Sequence, residues 1–139
     1  MTTAVDACVI MDILAGKGPY AASSSAALIA AAEESLLIIS EVVYAELAAF
    51  VRDHDRLEAA LDRLTIEVVP LGSEAAFRAG MLFAAYRTRG GPRERVVADF
   101  LIGAHAQAHA DRLLTRDRGF YREYFADLPI MDAAAEAER

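Results

Sequence analysis

Short apolar runs alternate with longer segments of helical periodicity along the chain. Residues 4–11, 36–39 and 66–69 are nearly continuous apolar runs rich in branched side chains, which predict strands. Residues 112–115 and 129–131 predict the last two strands in the same way. Because these runs lack a polar alternation, they are typical of strands covered on both faces.

Helical patterns fill the stretches between the predicted strands. They cover residues 21–32, 41–52, 54–64, 73–87 and 96–109, with a short helix near 120–125. Ser40 and Ser73 are candidate N-caps, and Gly91 with Pro92 signals the start of the fifth helix. Strands that alternate with helices predict a three-layer α/β/α domain with a central, mainly parallel sheet of four to five strands.

The length of 139 residues is typical of a single domain, here spanning residues 1–139, with 133–139 expected as a frayed helical tail. The single cysteine, Cys8, excludes an internal disulfide. We found neither a signal-peptide pattern nor an apolar run long enough to span a membrane, so a cytoplasmic location without membrane attachment is expected.

The net charge of −7 argues against a protein that binds nucleic acid through overall basicity. The charge is nevertheless uneven, because residues 86–122 hold eight arginines against four acidic residues. This basic block is the part of the chain best suited to contact phosphate groups.

Four acidic residues, Asp6, Glu46, Asp99 and Asp117, stand in apolar surroundings. Asp6 interrupts the first apolar run, where a carboxylate on a strand covered on both faces would lose its hydration. The alternative is that Asp6 ends the strand and caps the next turn. Asp117 follows the predicted strand at residues 112–115, at the sheet edge where open α/β sheets bind ligands.

Helical periodicity places the other two acids on apolar faces. Glu46 shares its face with Val42, Val43, Ala49 and Phe50. Asp99 has Val96, Ile102 and Gly103 three and four residues away. If the four acids converge, their mutual repulsion requires a counter-charge, and Mg²⁺ or Mn²⁺ with oxygen ligands supplies it. Such a site, flanked by Arg116 and Arg118, predicts metal-assisted phosphoryl chemistry.

Four segments containing these acids resemble the acidic motifs of PIN-domain ribonucleases, most closely the VapC-type toxins. The segments are Val5-Asp6-Ala7-Cys8, Tyr44-Ala45-Glu46-Leu47, Ala98-Asp99-Phe100-Leu101 and Leu114-Thr115-Arg116-Asp117. The resemblance, which covers essentially the whole chain, implies a PIN-like fold and RNA hydrolysis that leaves a 5′-phosphate.

By the same resemblance Asp6, Glu46, Asp99 and Asp117 would be catalytic and bind Mg²⁺ or Mn²⁺, with Thr115 as a supporting hydroxyl. RNA phosphates are expected to contact Arg116, Arg118, Arg93 and Arg95. The expected partners are a second copy of the chain and an antitoxin whose arginine enters the acidic pocket. Surplus apolar surface and alanine-rich helices also favour a homodimer.

Cys8 departs from the family pattern, which usually has Asn, Ser or Thr at this position. A thiol is a weaker hydrogen-bond partner, so a weakly active nuclease or a non-catalytic RNA- or protein-binding module is the alternative. For Asp12, in the same motif, the expected role is a favourable charge at a helix start.

The sequence lacks residues that other classes of α/β protein require. The glycines form neither a dinucleotide fingerprint nor a P-loop. A phosphorelay receiver needs a lysine after a late strand, but the only lysine, Lys17, lies near the start of the chain. A haloacid-type phosphatase needs a second Asp two residues after the first, and Cys8 occupies that position. His105 and His109 lack the glutamate of a zinc peptidase and are expected to be exposed. A structure-specific DNA nuclease is a third possibility, although the length leaves no room for a DNA-binding appendage.

Overall fold

A sheet of five parallel strands lies at the centre of the computed structural model, which describes residues 1–92 and 96–136. The strands are β1 (Thr2–Val5), β2 (Leu36–Ile39), β3 (Ile66–Val68), β4 (Arg112–Thr115) and β5 (Ile130–Asp132). Their order across the sheet is β3-β2-β1-β4-β5, and each neighbouring pair is parallel. The predicted fold class, with its four to five mainly parallel strands, is therefore confirmed.

Helices cover both faces of this sheet and complete the three layers. They are α1 (Ala7–Ala15), α2 (Ala21–Glu34), α3 (Glu41–Val51), α4 (His54–Arg63), α5 (Ser73–Thr88), α6 (Val97–His109), α7 (Arg118–Tyr124) and α8 (Ala133–Glu136). Helix α5 packs along α6, whereas α1 and α8 pack against α2. Among the described residues, no helix combines the length and apolar character needed to cross a bilayer.

The strand order creates a crevice at the carboxyl ends of β1 and β4. From β1 the chain continues to β2 on one side, while β4 joins β1 from the other side. Open parallel sheets bind ligands at such a switch point, because the loops that follow the two strands diverge there. Asp6 directly follows β1, and Asp117 is the second residue after the end of β4, so the topology brings two of the predicted acids to one place.

The interpretation of residues 4–11 as a single strand is wrong. Strand β1 ends at Val5, and Ala7 begins helix α1. The apolar run continues across the boundary because Val9 and Ile10 in α1 are as completely buried as the strand. A run buried on a helix cannot be distinguished by hydrophobicity alone from a run buried on a strand.

Of the two serines predicted as helix N-caps, one is confirmed and the other is wrong. The hydroxyl of Ser40 accepts a hydrogen bond from the Val43 N–H, as expected for the N-cap of α3. For α5 the N-cap is Gly72 and not Ser73, which is the first helical residue. Gly72 has φ +86°, a left-handed conformation that glycine adopts without strain.

Two further expectations about the surface differ from the structure. His105 is buried and donates from Nε2 to the Val69 carbonyl at 2.8 Å, whereas His109 is exposed and makes the same type of bond to Leu71. At the end of the chain, Ala133 is fully buried at the start of α8. This part of the expected tail is packed against α2, and residues 137–139 lie outside the described part.

Candidate active site

The four predicted acids line one cleft at the carboxyl edge of the sheet. Asp6, Glu46, Asp99 and Asp117 all border this cleft, whose volume is about 460 Å³. Its remaining lining residues are Ala7, Cys8, Met11, Ile102 and Arg116. The structure therefore brings together acids that are separated by up to 111 positions along the chain.

Asp6 serves both as the cap of α1 and as a buried carboxylate of the cleft. Its Oδ1 accepts the Ala7 N–H at 2.8 Å, and its Oδ2 accepts the Thr115 hydroxyl at 2.8 Å. Burial raises the pKa of Asp6 above its ordinary value, although hydrogen bonds from Thr115, Ala7 and Cys8 act in the opposite direction. The predicted burial and the alternative capping role are thus both present in this residue.

Glu46 carries a buried oxygen without a hydrogen-bond partner. Its Oε1 is inaccessible to solvent and accepts no hydrogen bond from any described residue. Burial raises the pKa of Glu46, and the negative charges of Asp6 and Asp99 raise it further. An uncompensated acceptor of this kind is costly in a folded protein, which indicates that its partner is a group outside the described part of the chain.

Asp99 and Asp117 are positioned by the ends of secondary-structure elements. Asp99 lies in the first turn of α6, where its Oδ2 accepts the Val96 N–H at 3.1 Å. Asp117 lies between β4 and α7, and its N–H donates to the hydroxyl oxygen of Thr115 at 3.0 Å. The same hydroxyl donates to Asp6, so Thr115 connects the acids that follow the two central strands.

Cys8 and Tyr121 surround the Asp6 carboxylate with weakly polar groups. Burial, followed by the negative charge of Asp6, raises the pKa of the Cys8 thiol to about 12, so this side chain is a neutral thiol at physiological pH. The buried Tyr121 hydroxyl donates to Asp6 Oδ2 at a long 3.5 Å. Sequence reasoning assigned no role to Tyr121, although its position four residues after Asp117 was a usable signal.

Arg116 borders the cleft but pairs with an acid outside the predicted quartet. Its Nε and Nη2 donate to the two carboxylate oxygens of Asp12 at 2.7 and 3.2 Å. The Ser24 hydroxyl donates to Asp12 at 2.6 Å, and the Arg116 guanidinium lies 4.2 Å from the centre of the Tyr20 ring. Asp12 is the sixth residue of α1, so the expected role at a helix start is wrong: it fixes Arg116 instead.

The other predicted phosphate contacts are less closely tied to the cleft. Arg118, the first residue of α7, is half-exposed and pairs with Asp132 at 3.3 Å. It does not line the acidic cleft. Arg93 and Arg95 lie outside the described residues.

The donor set of the cleft fits a hard divalent cation. It offers carboxylate oxygens, an orphaned acceptor on Glu46, and acids whose charges raise the pKa of their neighbours. Within residues 1–92 and 96–136, however, no three of the potential ligands are close enough to hold a metal ion as they stand. The acids therefore share a cleft and have the right chemistry without forming a closed coordination shell.

Comparisons with known proteins identify the domain family and the fold. The model of the PIN domain matches residues 3–126. A chain of VapBC2 from Rickettsia felis, in a complex bound to a promoter DNA fragment, has a TM-score of 0.72 at 21% identity, covering 95% of this chain and 98% of that chain. A toxin-antitoxin complex from Klebsiella pneumoniae gives 0.67 at 20% identity, covering 94% and 97%.

FitAcB from Neisseria gonorrhoeae is a third structure of the same fold. Its TM-score is 0.66 at 23% identity, with coverage of 95% of this chain and 98% of that chain. A comparison with curated protein sequences found no significant match. At these identities the solved structures demonstrate a common fold over nearly the whole length of the chain.

Proposed function

Because the chain belongs to the PIN domain family, we propose that it is a metal-dependent endoribonuclease that hydrolyses RNA phosphodiester bonds. The observation that carries this proposal is the unpartnered Oε1 of Glu46 in a cleft shared with Asp6, Asp99 and Asp117. Three carboxylates that share a cleft with a fourth lacking a donor favour a cation over a neutral ligand as the occupant.

The residues that would hold Mg²⁺ or Mn²⁺ are Asp6, Glu46, Asp99 and Asp117. When bound, the ion supplies positive charge to the scissile phosphate and lowers the pKa of a coordinated water. Thr115 holds the Asp6 carboxylate through the 2.8 Å hydrogen bond, and Arg116 provides a fixed cation at the rim for a flanking phosphate.

The direct test is RNA cleavage by the purified protein with Mn²⁺, with Mg²⁺ and with a chelator. We expect cleavage only with added metal, and a loss of at least about a hundredfold in Asp99→Asn, since removal of a catalytic charge has effects of this order. Asp127→Asn, which changes an exposed acid outside the cleft, is the matched control. Metal-independent cleavage, or full activity of Asp99→Asn, would contradict the proposal, and a folded protein without cleavage would favour a non-catalytic binding module.

We also propose that the chain is the toxin of a type II toxin-antitoxin pair and acts in the cytoplasm. The support is the shared fold with chains of VapBC2 and of the Klebsiella pneumoniae complex. A guanidinium from an antitoxin would fit the cleft because Glu46 Oε1 has no other hydrogen-bond donor in the described part of the chain. Co-purification with the product of a small gene directly upstream would support this pairing, and Glu46→Gln should then weaken it. Unchanged affinity of Glu46→Gln would mean that inhibition acts by steric cover.

A homodimer is the proposed assembly. Large apolar side chains remain exposed on several helices, among them Ile29, Phe50, Phe77 and Met81. Self-association is the common means of covering such surface. Light scattering of the isolated chain is expected to give twice the 15.0 kDa of one copy, and a strict monomer at tens of micromolar would contradict the dimer.

A further inference from the structure

The guanidinium of Arg116 is held in a fixed plane at the rim of the cleft. Asp12 engages its Nε and Nη2, and Ser24 in turn holds the Asp12 carboxylate. These contacts come from α1 and α2, two helices outside the loop that carries Arg116. Because the contacts with Asp12 occupy one edge of the guanidinium, the opposite edge is the one that a phosphate at the rim can approach.

Tyr20 lies on the guanidinium and stays accessible to solvent. Its side chain precedes α2, is 41% exposed, and places its ring centre 4.2 Å from the Arg116 carbon that joins the three nitrogens. The aromatic residues around α6 and α7 pack against one another, whereas Tyr20 contacts no aromatic ring within the described residues. The ring thus has one face on Arg116 and remains partly open to water.

One member of the pair, Arg116, lines the acidic cleft, and Tyr20 lies behind it, outside the set of lining residues. Arg116 lines the cleft and lies between Thr115, which holds Asp6, and Asp117. A cleft of carboxylates repels the phosphates of a nucleic acid, so a fixed cation and an adjacent stacking surface supply the attraction that the acids lack. An aromatic ring backed by arginine binds the face of a nucleobase through stacking, which requires an unpaired base and tolerates different sequences.

We propose that Tyr20 and Arg116 form a nucleotide subsite in which one unpaired base stacks on Tyr20 and its phosphate contacts Arg116. Asp12 and Ser24 are positioning residues that hold Arg116 for this contact. The subsite rests on the proposed ribonuclease function and assigns Tyr20 as the residue that contacts a base beside the cleft.

A tryptophan at position 20 would report stacking directly, because the chain contains no tryptophan. We would prepare Tyr20→Trp and the control Ile29→Trp, both with Asp99→Asn to prevent turnover. Ile29 is an exposed residue on α2, about 14 Å along the helix from position 20, and is not in contact with the Arg116 guanidinium as Tyr20 is. The probes are a short single-stranded oligoribonucleotide, its duplex, and an abasic ribose-phosphate strand, each with Mn²⁺.

We expect the single strand to quench the indole fluorescence of the Tyr20→Trp variant in a saturable manner. The duplex and the abasic strand should quench it little, and no probe should quench the Ile29→Trp control. In the otherwise unmodified protein, Tyr20→Leu should raise KM about tenfold, with kcat within about twofold, and Tyr20→Phe should retain wild-type KM, as expected for a lost base stack. Arg116→Lys should raise KM as well, because lysine cannot retain the bidentate bond to Asp12.

The two proposals fail separately. If the unmodified protein cleaves RNA but the Tyr20→Trp variant is not quenched and Tyr20→Leu keeps its KM, the subsite is wrong and the nuclease stands: Tyr20 then only anchors α2 to the loop after β4. If the Tyr20→Trp variant is quenched by single strands but no metal-dependent cleavage occurs, the subsite stands and the nuclease is wrong. Absence of both quenching and cleavage contradicts both.

Discussion

The hydroxyl of Thr115 donates a 2.8 Å hydrogen bond to Oδ2 of Asp6 across the two central strands of the sheet. The hydroxyl oxygen of Thr115 also accepts a hydrogen bond from the N–H of Asp117 at 3.0 Å. Thr115 is fully buried, so both bonds form in a region of low dielectric, where hydrogen bonds are strong and their loss is costly. This single side chain sets the orientation of one acid and the backbone position of another.

Thr115→Val should therefore impair the site more than the fold. Valine keeps the shape but removes both hydrogen bonds, with an expected loss of about 1–3 kcal/mol in the free energy of unfolding. We expect RNA cleavage to fall about tenfold or more, since a misplaced carboxylate is costly for catalysis. Thr115→Ser retains the hydroxyl and should recover most of the activity. Equal losses in Thr115→Val and Thr115→Ser would show that the methyl group and not the hydroxyl matters.

Glu46→Gln should stabilise the metal-free protein. The substitution removes a charge that is repelled by Asp6 and Asp99 and whose buried Oε1 accepts no hydrogen bond from the described residues. In a chelator, we expect the melting temperature to rise by about 3 °C, corresponding to somewhat less than 1 kcal/mol. Millimolar Mn²⁺ should raise the melting temperature of the wild type more than that of Glu46→Gln. A lower melting temperature of Glu46→Gln in the chelator would indicate that Glu46 is paired with a cationic side chain in solution.

Much of the candidate site could be predicted from the sequence because a carboxylate within an apolar stretch is unusual. Asp6, Glu46, Asp99 and Asp117 each stood out against an apolar local pattern, and the structure places all four on one cleft. The parallel direction of the strands followed from the alternation of strands and helices, since parallel strands need long, usually helical connections.

The pairing of Asp12 with Arg116 could not be predicted in the same way. These residues are 104 positions apart, and nothing in the local pattern around either residue indicates the other. The role of Asp12 was predicted wrongly because the sequence does not show where β1 ends and α1 begins. The same apolar run is buried in both elements. His105 was misjudged for a related reason: its burial depends on the Val69 carbonyl, which a distant segment supplies.

His105 should make stability depend on pH below neutrality. Burial lowers the pKa of His105 in the folded state, and this outweighs the hydrogen bond to Val69, which raises it. The unfolded chain therefore binds a proton more readily, so stability is retained above the ordinary histidine pKa and is lost as pH falls below it. Relative to wild type, His105→Gln should lose less stability between about pH 7 and pH 5, because glutamine can donate the same bond without titrating.

Urea denaturation at a series of pH values measures this difference. His109→Gln is unsuitable as a control, because the charge of His109 is one of the causes that lower the pKa of His105. His54→Gln is used instead, since it removes an exposed histidine on a different helix, α4. Measured in the same series, this variant shows how much of any change follows from the loss of a histidine at an unrelated position. Parallel curves for the wild type and His105→Gln would show that His105 titrates in the folded protein as it does in the unfolded chain.

Gly103 allows helix α6 to pack closely against Phe125, the residue that follows α7. A Cβ atom at this position would lie 2.3 Å from Cε2 of Phe125, whose ring is buried and has little room to move. Gly103→Ala should therefore destabilise the protein by about 2 kcal/mol, as is typical of an overpacked core. Since α6 carries Asp99 at its start and α7 begins next to Asp117, separating these helices should also reduce RNA cleavage.

Gly80 provides the control, because it lies within α5 and a Cβ there would meet open space. Gly80→Ala should stabilise the protein by about 0.5–1 kcal/mol through the higher helix propensity of alanine, and cleavage should be unchanged. Opposite signs for the two substitutions would separate steric contact from helix propensity. If Gly103→Ala were as stable and as active as Gly80→Ala, the Phe125 ring would have to move freely, and the contact between Gly103 and Phe125 would not determine the spacing of Asp99 and Asp117.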